Sequence, residues 1–367
     1  MSSTISRGDV APRTMRADAV ENLTWVKLEY RRVMLRRQLL LLVCLAAVLF
    51  ASAADIVTGP SGISWAILVQ GVLDPAHTDP MTRVIIWDVR LPYAVMAVLV
   101  GMALALSGAE MQTILDNPLA SPFTLGVSSA AALGASAAIV FHFALPGLAG
   151  NGMVALMAFI FAFGSVLLLQ LISRARGPRA GKETLVLLGI ALVFSCNALV
   201  AMLQLLAPED VLQQLVFWTL GSLARANWEK VCILALLLAC VMPFSMAASW
   251  RMTALRLGED RALTLGVNVR WLRFGSLIRI SLISATAVAF VGPIGFIGLV
   301  APHIARMLIG EDQRFFLPCS AFVGALLLSL ASIASKFIMP GVIVPVGIVT
   351  ALVGVPAFVA LVLRRGK

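Results

Sequence analysis

One segment of the 367-residue chain comes close to a phosphate-binding loop: Gly177-Pro178-Arg179-Ala180-Gly181-Lys182-Glu183. Such a loop needs G-x-x-x-x-G-K-[ST]: its amides cradle phosphates, its lysine reaches the terminal phosphate and its hydroxyl holds magnesium. Here the glycine spacing is one residue short, and Glu183 stands where the hydroxyl is required. The segment reads as a basic loop. No nucleophile elbow, zinc motif or dinucleotide fingerprint occurs elsewhere. The five cysteines (Cys44, Cys196, Cys232, Cys240, Cys319) lie in or beside apolar runs, form no CxxC pair, and read as small buried apolar residues. His77, His142 and His303 are scattered, which gives a metal site little support. Glu110 is the one acid expected inside an apolar run. An interfacial or pathway-edge residue is favoured over a proton carrier, because a relay needs partners. No catalytic or metal-binding residue is assigned, and no cofactor is expected on this chain. Active transport would need ATP and magnesium on a partner ATPase.

The elements around these residues are apolar. Sixty per cent of the residues are hydrophobic and 13% charged, with a mean hydropathy of +0.97. A soluble chain could not hide that much apolar surface behind so few charges. A span needs about 20 apolar residues for a hydrocarbon core roughly 30 Å thick. Ten spans are predicted, at 38–54, 91–113, 124–142, 151–173, 184–206, 229–249, 275–292, 294–309, 316–335 and 344–364. Hydropathy alone would merge the seventh and eighth; Gly292, Pro293 and Gly295 supply the break. The net charge of +10 does not indicate nucleic acid, because the basic residues sit in short loops between apolar runs. With the N-terminus inside, 23 of the 28 Lys and Arg fall on the inner side. The outer five are Arg83, Arg90, Arg225, Lys230 and Lys336. This asymmetry predicts an even span number, cytoplasmic N- and C-termini, and a multi-pass membrane protein.

Two regions are expected: a basic, partly amphipathic segment 1–37 resting on the inner surface, and a single ten-helix domain over 38–367. Leu39–Phe50 followed by Ala51-Ser52-Ala53 has the look of a signal peptide, but the long mixed-charge segment before it favours an uncleaved span. Outside, Ile63–Leu73 fits a short surface helix, and Phe217-Trp218-Thr219-Leu220-Gly221 fits an interface. In the second span Gly101, Ala105 and Ala109 share one face. This predicts a central, tightly packed helix, because small residues let backbones approach closely in lipid.

The inner loop 251–274 is long and carries helical periodicity in two pieces divided near Gly266. Leu255, Ala262 and Leu265 are predicted to form an apolar stripe, with Arg256, Glu259 and Arg261 around it. Length, periodicity and apolar positions suggest a docking surface rather than an ordinary solvated loop.

A series of motifs carries a resemblance. It runs through Arg90-Leu91-Pro92, Ala105-Leu106-Ser107-Gly108-Ala109, Asn117-Pro118-Leu119-Ala120-Ser121-Pro122, Leu125-Gly126-Val127-Ser128-Ser129, Leu188-Gly189-Ile190-Ala191 and Trp218-x-x-Gly221. It continues with Leu257-Gly258-Glu259-x-x-Ala262-x-x-Leu265-Gly266-Val267, Gly295-Phe296-Ile297-Gly298-Leu299-Val300-x-Pro302-His303-x-x-Arg306, Pro345-Val346-Gly347 and Thr350-x-x-x-Gly354-x-Pro356. From about residue 40 to 364 the chain resembles the permease subunits of the iron-siderophore, haem and vitamin B12 ABC importers.

The resemblance implies an all-α membrane protein, in a bacterial inner membrane, with about ten transmembrane helices per subunit, like the vitamin B12 importer permease. It implies a homodimer or a dimer with a close homologue, with a pathway at the subunit interface. Pathway candidates in the fifth and tenth spans are Ser195, Asn197, Gly347, Thr350 and Gly354. Two ATPase subunits would dock on a coupling loop at 254–270, through Leu257, Gly258, Glu259, Ala262, Leu265, Gly266 and Val267. Asn117, Pro118, Leu119 and Ala120 would form one cytoplasmic gate element, and Glu183 with Thr184 the other. Arg90 and Lys336 match outer positions that pair with acids on a substrate-binding protein. The implied function is alternating-access import of a ferric siderophore, with haem or cobalamin as alternative cargoes. A self-contained secondary transporter is disfavoured by the scarcity of buried acids and bases. The chain departs from its relatives at Tyr93, where many carry a second arginine, and at Glu110, a position usually apolar among them.

Overall fold

The computed structural model describes residues 12–59, 64–145, 150–175, 182–339 and 341–364. The near-match phosphate segment 177–181 and the terminal Arg365 and Lys367 lie outside them. In chain order the helices are α1 (Pro12–Val57), α2 (Trp65–Leu73), α3 (Pro80–Val84), α4 (Leu91–Leu115), α5 (Val127–Val140), α6 (Asn151–Ala175) and α7 (Lys182–Leu206). They continue with α8 (Glu209–Thr219), α9 (Trp228–Leu255), α10 (Glu259–Thr264), α11 (Val269–Val291), α12 (Ile297–Ile309), α13 (Gln313–Phe337) and α14 (Val346–Arg364).

Among the described residues seven stretches are long and apolar enough to cross a bilayer: Lys27–Val57 in α1, Pro80–Leu115 ending in α4, and those of α6, α7, α9, α11 and α13. The shorter apolar helices α5, α12 and α14 occupy the other three expected positions. The break predicted at Gly292 is present. Gly292 leaves α11 at φ 81°, and α12 starts after Phe296 at φ 66°. A left-handed phenylalanine is uncommon and is held here by the packing around it.

Three boundaries differ from expectation. The predicted start of the second span at 91 lies inside a continuous helix that begins at Pro80 and widens to a π-turn over Ile85–Arg90. Pro92 has no amide hydrogen, and its ring crowds the preceding turn; a wider turn relieves both. The third span is shortened to α5 because Pro118 and Pro122 oppose helix, while Ser121 and Thr124 bond one another instead (Ser121 N to Thr124 Oγ1, 3.0 Å). Finally, α1 runs without interruption across residue 37, where a boundary between lead-in and span was expected.

The bundle is organised around α4, which packs on α13, α11, α12 and α9; α5, α6 and α7 form a neighbouring group, joined to the first by α11. Twenty of the 25 residues of α4 are buried, as its small-residue face predicted. A Cβ on Gly101 would overlap the Gly324 carbonyl of α13, and one on Gly108 would overlap the Gly298 carbonyl of α12. In lipid, where apolar burial gives no drive between helices, such close approach is what holds them. Buried hydroxyls add to it. Ser107 Oγ donates to the Ala103 carbonyl at 2.7 Å and reaches the Ile280 carbonyl of α11 at 3.4 Å. The cysteines are less uniform than expected: Cys196 and Cys319 are buried, but Cys232 and Cys240 face out of the bundle.

Candidate coupling and gating site

The connection between α9 and α11 is shorter than the sequence suggested. The helical periodicity at either end of 251–274 belongs to the last turns of α9 and the first of α11, leaving 256–268 as the true connection with α10 inside it. Gly258 (φ 108°) and Gly266 (φ 79°) bracket α10, and a Cβ on either would meet open space. Backbone conformation therefore demands glycine at both points, not crowding. Asn268 then caps α11, accepting from the Trp271 amide at 3.2 Å.

The predicted stripe is corrected. Leu255, Ala262 and Val267 face inward and are buried, whereas Leu265 points outward with Leu257 and Leu263, each at least half exposed. On a six-residue helix, inward Ala262 lets α10 sit close to the bundle. Leu263 on its outer side, with Leu257 and Leu265 flanking the helix, makes an exposed apolar group beside charged residues at a helical connection.

At the same end, the last turn of α4 receives three arginines from three other elements. Arg306 of α12 donates from Nη2 to Gln112 Oε1 at 3.1 Å and lies over the Phe316 ring. Arg273 of α11 donates from Nε to the Ile114 carbonyl at 3.2 Å and pairs through Nη1 with Glu259 Oε1 of α10 at 2.5 Å. Arg256, after α9, pairs with Asp116 Oδ1 at 3.2 Å and with Glu311. Arg306 also reaches Glu311, at 3.3 Å. The free carbonyls at a helix C-terminus and its negative dipole end both favour cations. Asp116 ends α4 in the left-handed conformation (φ 50°), and Asn117–Ala120 follows directly. There Asn117 Oδ1 accepts from the Leu119 amide at 2.9 Å, Pro118 bars further helix, Leu119 is exposed and Ala120 buried. Nearby, Asp312 caps α13 and binds Arg314 (2.8 Å) and Arg37 of α1 (3.0 Å). The hydrogen bond from Arg314 holds the Asp312 carboxyl below the usual aspartate range.

Glu183 and Thr184 fall in the first turn of α7. Thr184 is half-buried, and the Glu183 side chain lies outside the described residues. What ties this helix to the Asn117–Ala120 side is Gly189, whose missing Cβ lets α7 approach the Leu125 Cα, a position a Cβ would meet at 2.9 Å. Of the pathway candidates, Ser195 and Asn197 are exposed on α7. The other three sit where helices pack within the chain. Gly347 hydrogen-bonds through its amide to the Gly221 carbonyl at 3.1 Å, Thr350 is buried, and Gly354 backs onto the Phe296 ring. At this junction Trp218-x-x-Gly221, Gly292 and Pro345-Val346-Gly347 meet, with Ser222 N bonded to the Val291 carbonyl at 2.7 Å. The sequence held these motifs but gave no sign that they converge.

At the opposite end, the expectation that Arg90 and Lys336 stand out as docking charges is corrected. Both side chains are buried. Arg90 Nη1 donates to the carbonyls of Ile56 (2.9 Å) and Val57 (2.7 Å), and Lys336 Nζ to the Asp55 carbonyl (2.6 Å) and Oδ1 (2.7 Å). Together they cap the end of α1, where orphan carbonyls need donors. Ser332 Oγ completes the Asp55 contact at 2.6 Å. Glu110 also finds a partner that sequence reasoning missed. Arg279, counted with the inner loop, sits well inside α11 and grips it by two hydrogen bonds.

This fold is that of an ABC transporter permease. It superimposes on a solved structure described as an inward-facing metal-chelate type ABC transporter, with a TM-score of 0.78 and 32% identity over 88% of this chain and 98% of that one. The chain belongs to the FecCD transport family, whose pattern matches residues 40–364. It is 38% identical over 280 residues to the Fe(3+) dicitrate transport system permease protein FecD of Escherichia coli, covering 76% of this chain and 85% of the relative. It is 37% identical over 291 residues to the molybdate import system permease protein MolB of Haemophilus influenzae, covering 78% and 84%. It is thus a multi-pass membrane protein of a family of permease subunits that work with ATPase subunits and substrate-binding proteins.

Proposed function

We propose that this chain forms the translocation pathway of an ATP-driven importer for a ferric chelate, working by alternating access. The observation that carries the reading is α10: a short helix on two glycine joints, outward leucines exposed, at the end where the basic loops lie. That end is taken as cytoplasmic, with both termini, in an inner membrane. Two partner ATPases dock there and supply ATP and magnesium; this chain binds neither and does no chemistry on its cargo. Two copies, or one copy and a close homologue, pair through the faces of α7 and α14, and the exposed Ser195 and Asn197 line the path. A substrate-binding protein docks at the opposite end. Iron-chelate relatives in the same identity range support the cargo.

The test is reconstitution of the chain with its ATPase and binding protein in vesicles. ATP-dependent uptake of radiolabelled iron as a siderophore complex is expected. Uptake of haem, cobalamin or molybdate with no uptake of the iron complex would overturn the cargo assignment.

A further inference from the structure

The arginines at the last turn of α4 bind two things at once. Arg273 holds Glu259, the first residue of α10, and through a different nitrogen the carbonyl of Ile114. Arg256, two residues before Gly258, holds Asp116, the last residue of the α4 end and the neighbour of Asn117. These side chains are mostly buried: those of Arg256 and Arg273 are 22% and 23% exposed. The chain on either side of Gly258, at Arg256 and at Glu259, is therefore tied to the residues Ile114–Asp116 that launch the Asn117–Ala120 turn. The carboxylates these arginines hold are more exposed, Asp116 at 59% and Glu259 at 42%, so it is the shielded guanidinium, fixed at two points by short charge-assisted bonds, that carries displacement from one partner to the other. Gly258 and Gly266, in open space, give α10 freedom to shift as a unit.

We propose that Arg256 and Arg273 are positioning residues that convert movement of α10 into movement of the Asn117–Ala120 turn. This rests on the reading of α10 as the ATPase docking element. When a docked partner displaces α10, Glu259 draws Arg273 and with it the Ile114 carbonyl. Arg256 carries Asp116, and the turn beyond it reorients about Pro118. Arg306 and Glu311 brace the other side of the same α4 turn through Gln112 and Arg256.

The experiment uses the full complex in vesicles, with spin labels at exposed Arg261, a polar position on α10, and exposed Leu119 on the turn. In the native chain, ATP should shift both labels. In Arg256→Gln/Arg273→Gln, the ATPase should still co-purify and the Arg261 label should still shift. The Leu119 shift should vanish, and ferric dicitrate uptake per ATP hydrolysed should fall about tenfold. Arg273→Lys guards against a folding failure: it retains a charge beside Glu259 but lacks the second donor for Ile114, and should show the same split in a folded protein. A Leu119 label that still responds in these variants overturns the inference. If ATP moves neither label in the native complex, the docking reading itself fails.

Discussion

Glu110 and Arg279 form a two-point ion pair in the middle of the bundle, with Arg279 Nη2 2.7 Å from Glu110 Oε2 and Nε 3.3 Å from Oε1. The carboxylate is 1% exposed, and Arg279 also reaches Ser276 Oγ at 2.9 Å. The pair locks α4 to α11. Breaking one side of such a pair strands a charge, at a cost of about 3–5 kcal/mol, whereas replacing both sides is often neutral. Glu110→Gln should lower the melting temperature in detergent markedly, and Glu110→Leu/Arg279→Met should restore most of it. Transport by any folded variant should keep its pH profile. A changed profile would make Glu110 a proton carrier and not a lock.

The Gly108 contact makes a sharper demand. Gly108→Ala places a methyl against the Gly298 carbonyl, so the helices must part, and a well-folded product should not be recovered. Gly164→Ala, in α6, meets nothing within 4 Å and should match the native chain. Size-exclusion profiles of the two variants make the comparison.

The outer face of α10 can be tested without disturbing the bundle. Leu263 is 58% exposed, so Leu263→Asp should leave melting unchanged. Hot-spot residues at interfaces typically cost about 2 kcal/mol or more when removed. ATPase co-purification should therefore drop at least tenfold. Full retention would mean the partner docks elsewhere.

Asp312 gives a pH dependence of known sign. Its carboxyl sits below the usual aspartate range because of its bond from Arg314. A depressed carboxylate contributes stability that is complete above the ordinary value of about 3.9 and is lost as pH falls through the lower folded one. The stability gap between the native chain and Asp312→Asn should therefore be constant from neutral pH through mild acid. It should close only below the ordinary aspartate range, as followed by melting in detergent.

Lys336 separates capping from docking. Lys336→Met removes a donor from the end of α1 and leaves Asp55 buried without its lysine partner, so melting should fall; Asp55→Leu/Lys336→Met should recover it. An unchanged melting point with weakened binding-protein association would instead return Lys336 to the docking surface.

The fold was largely legible in the sequence, because a bilayer imposes length, apolarity and charge asymmetry on every span. The break at Gly292 and the small-residue face of α4 could be read from local residue types alone. The ion pairs could not. Arg256 lies 140 positions from Asp116, and Arg279 lies 169 from Glu110. No periodicity links residues so far apart. For the same reason Arg90 and Lys336 read as conspicuous outer charges. Their targets are backbone carbonyls of α1, and these leave no mark in residue type. Leu265 was placed on the wrong face because a six-residue helix is too short for its pattern to fix its rotation.

The glycine contacts of α4 divide the protein into moving and stationary parts. Where two backbones touch, no layer of side chains remains between them to shear or re-pack. The stretch of α4 from Gly101 to Gly108, with the parts of α12 and α13 it touches, thus behaves as a stator, while the last turn of α4 lies beyond those contacts. In the alternating-access cycle proposed for this chain, the stroke then falls in α5, α6, α7, the last turn of α4 and the α10 connection, the group of α5, α6 and α7 being joined to that frame through α11. Probes of motion belong on those elements, and reference labels belong on the stator.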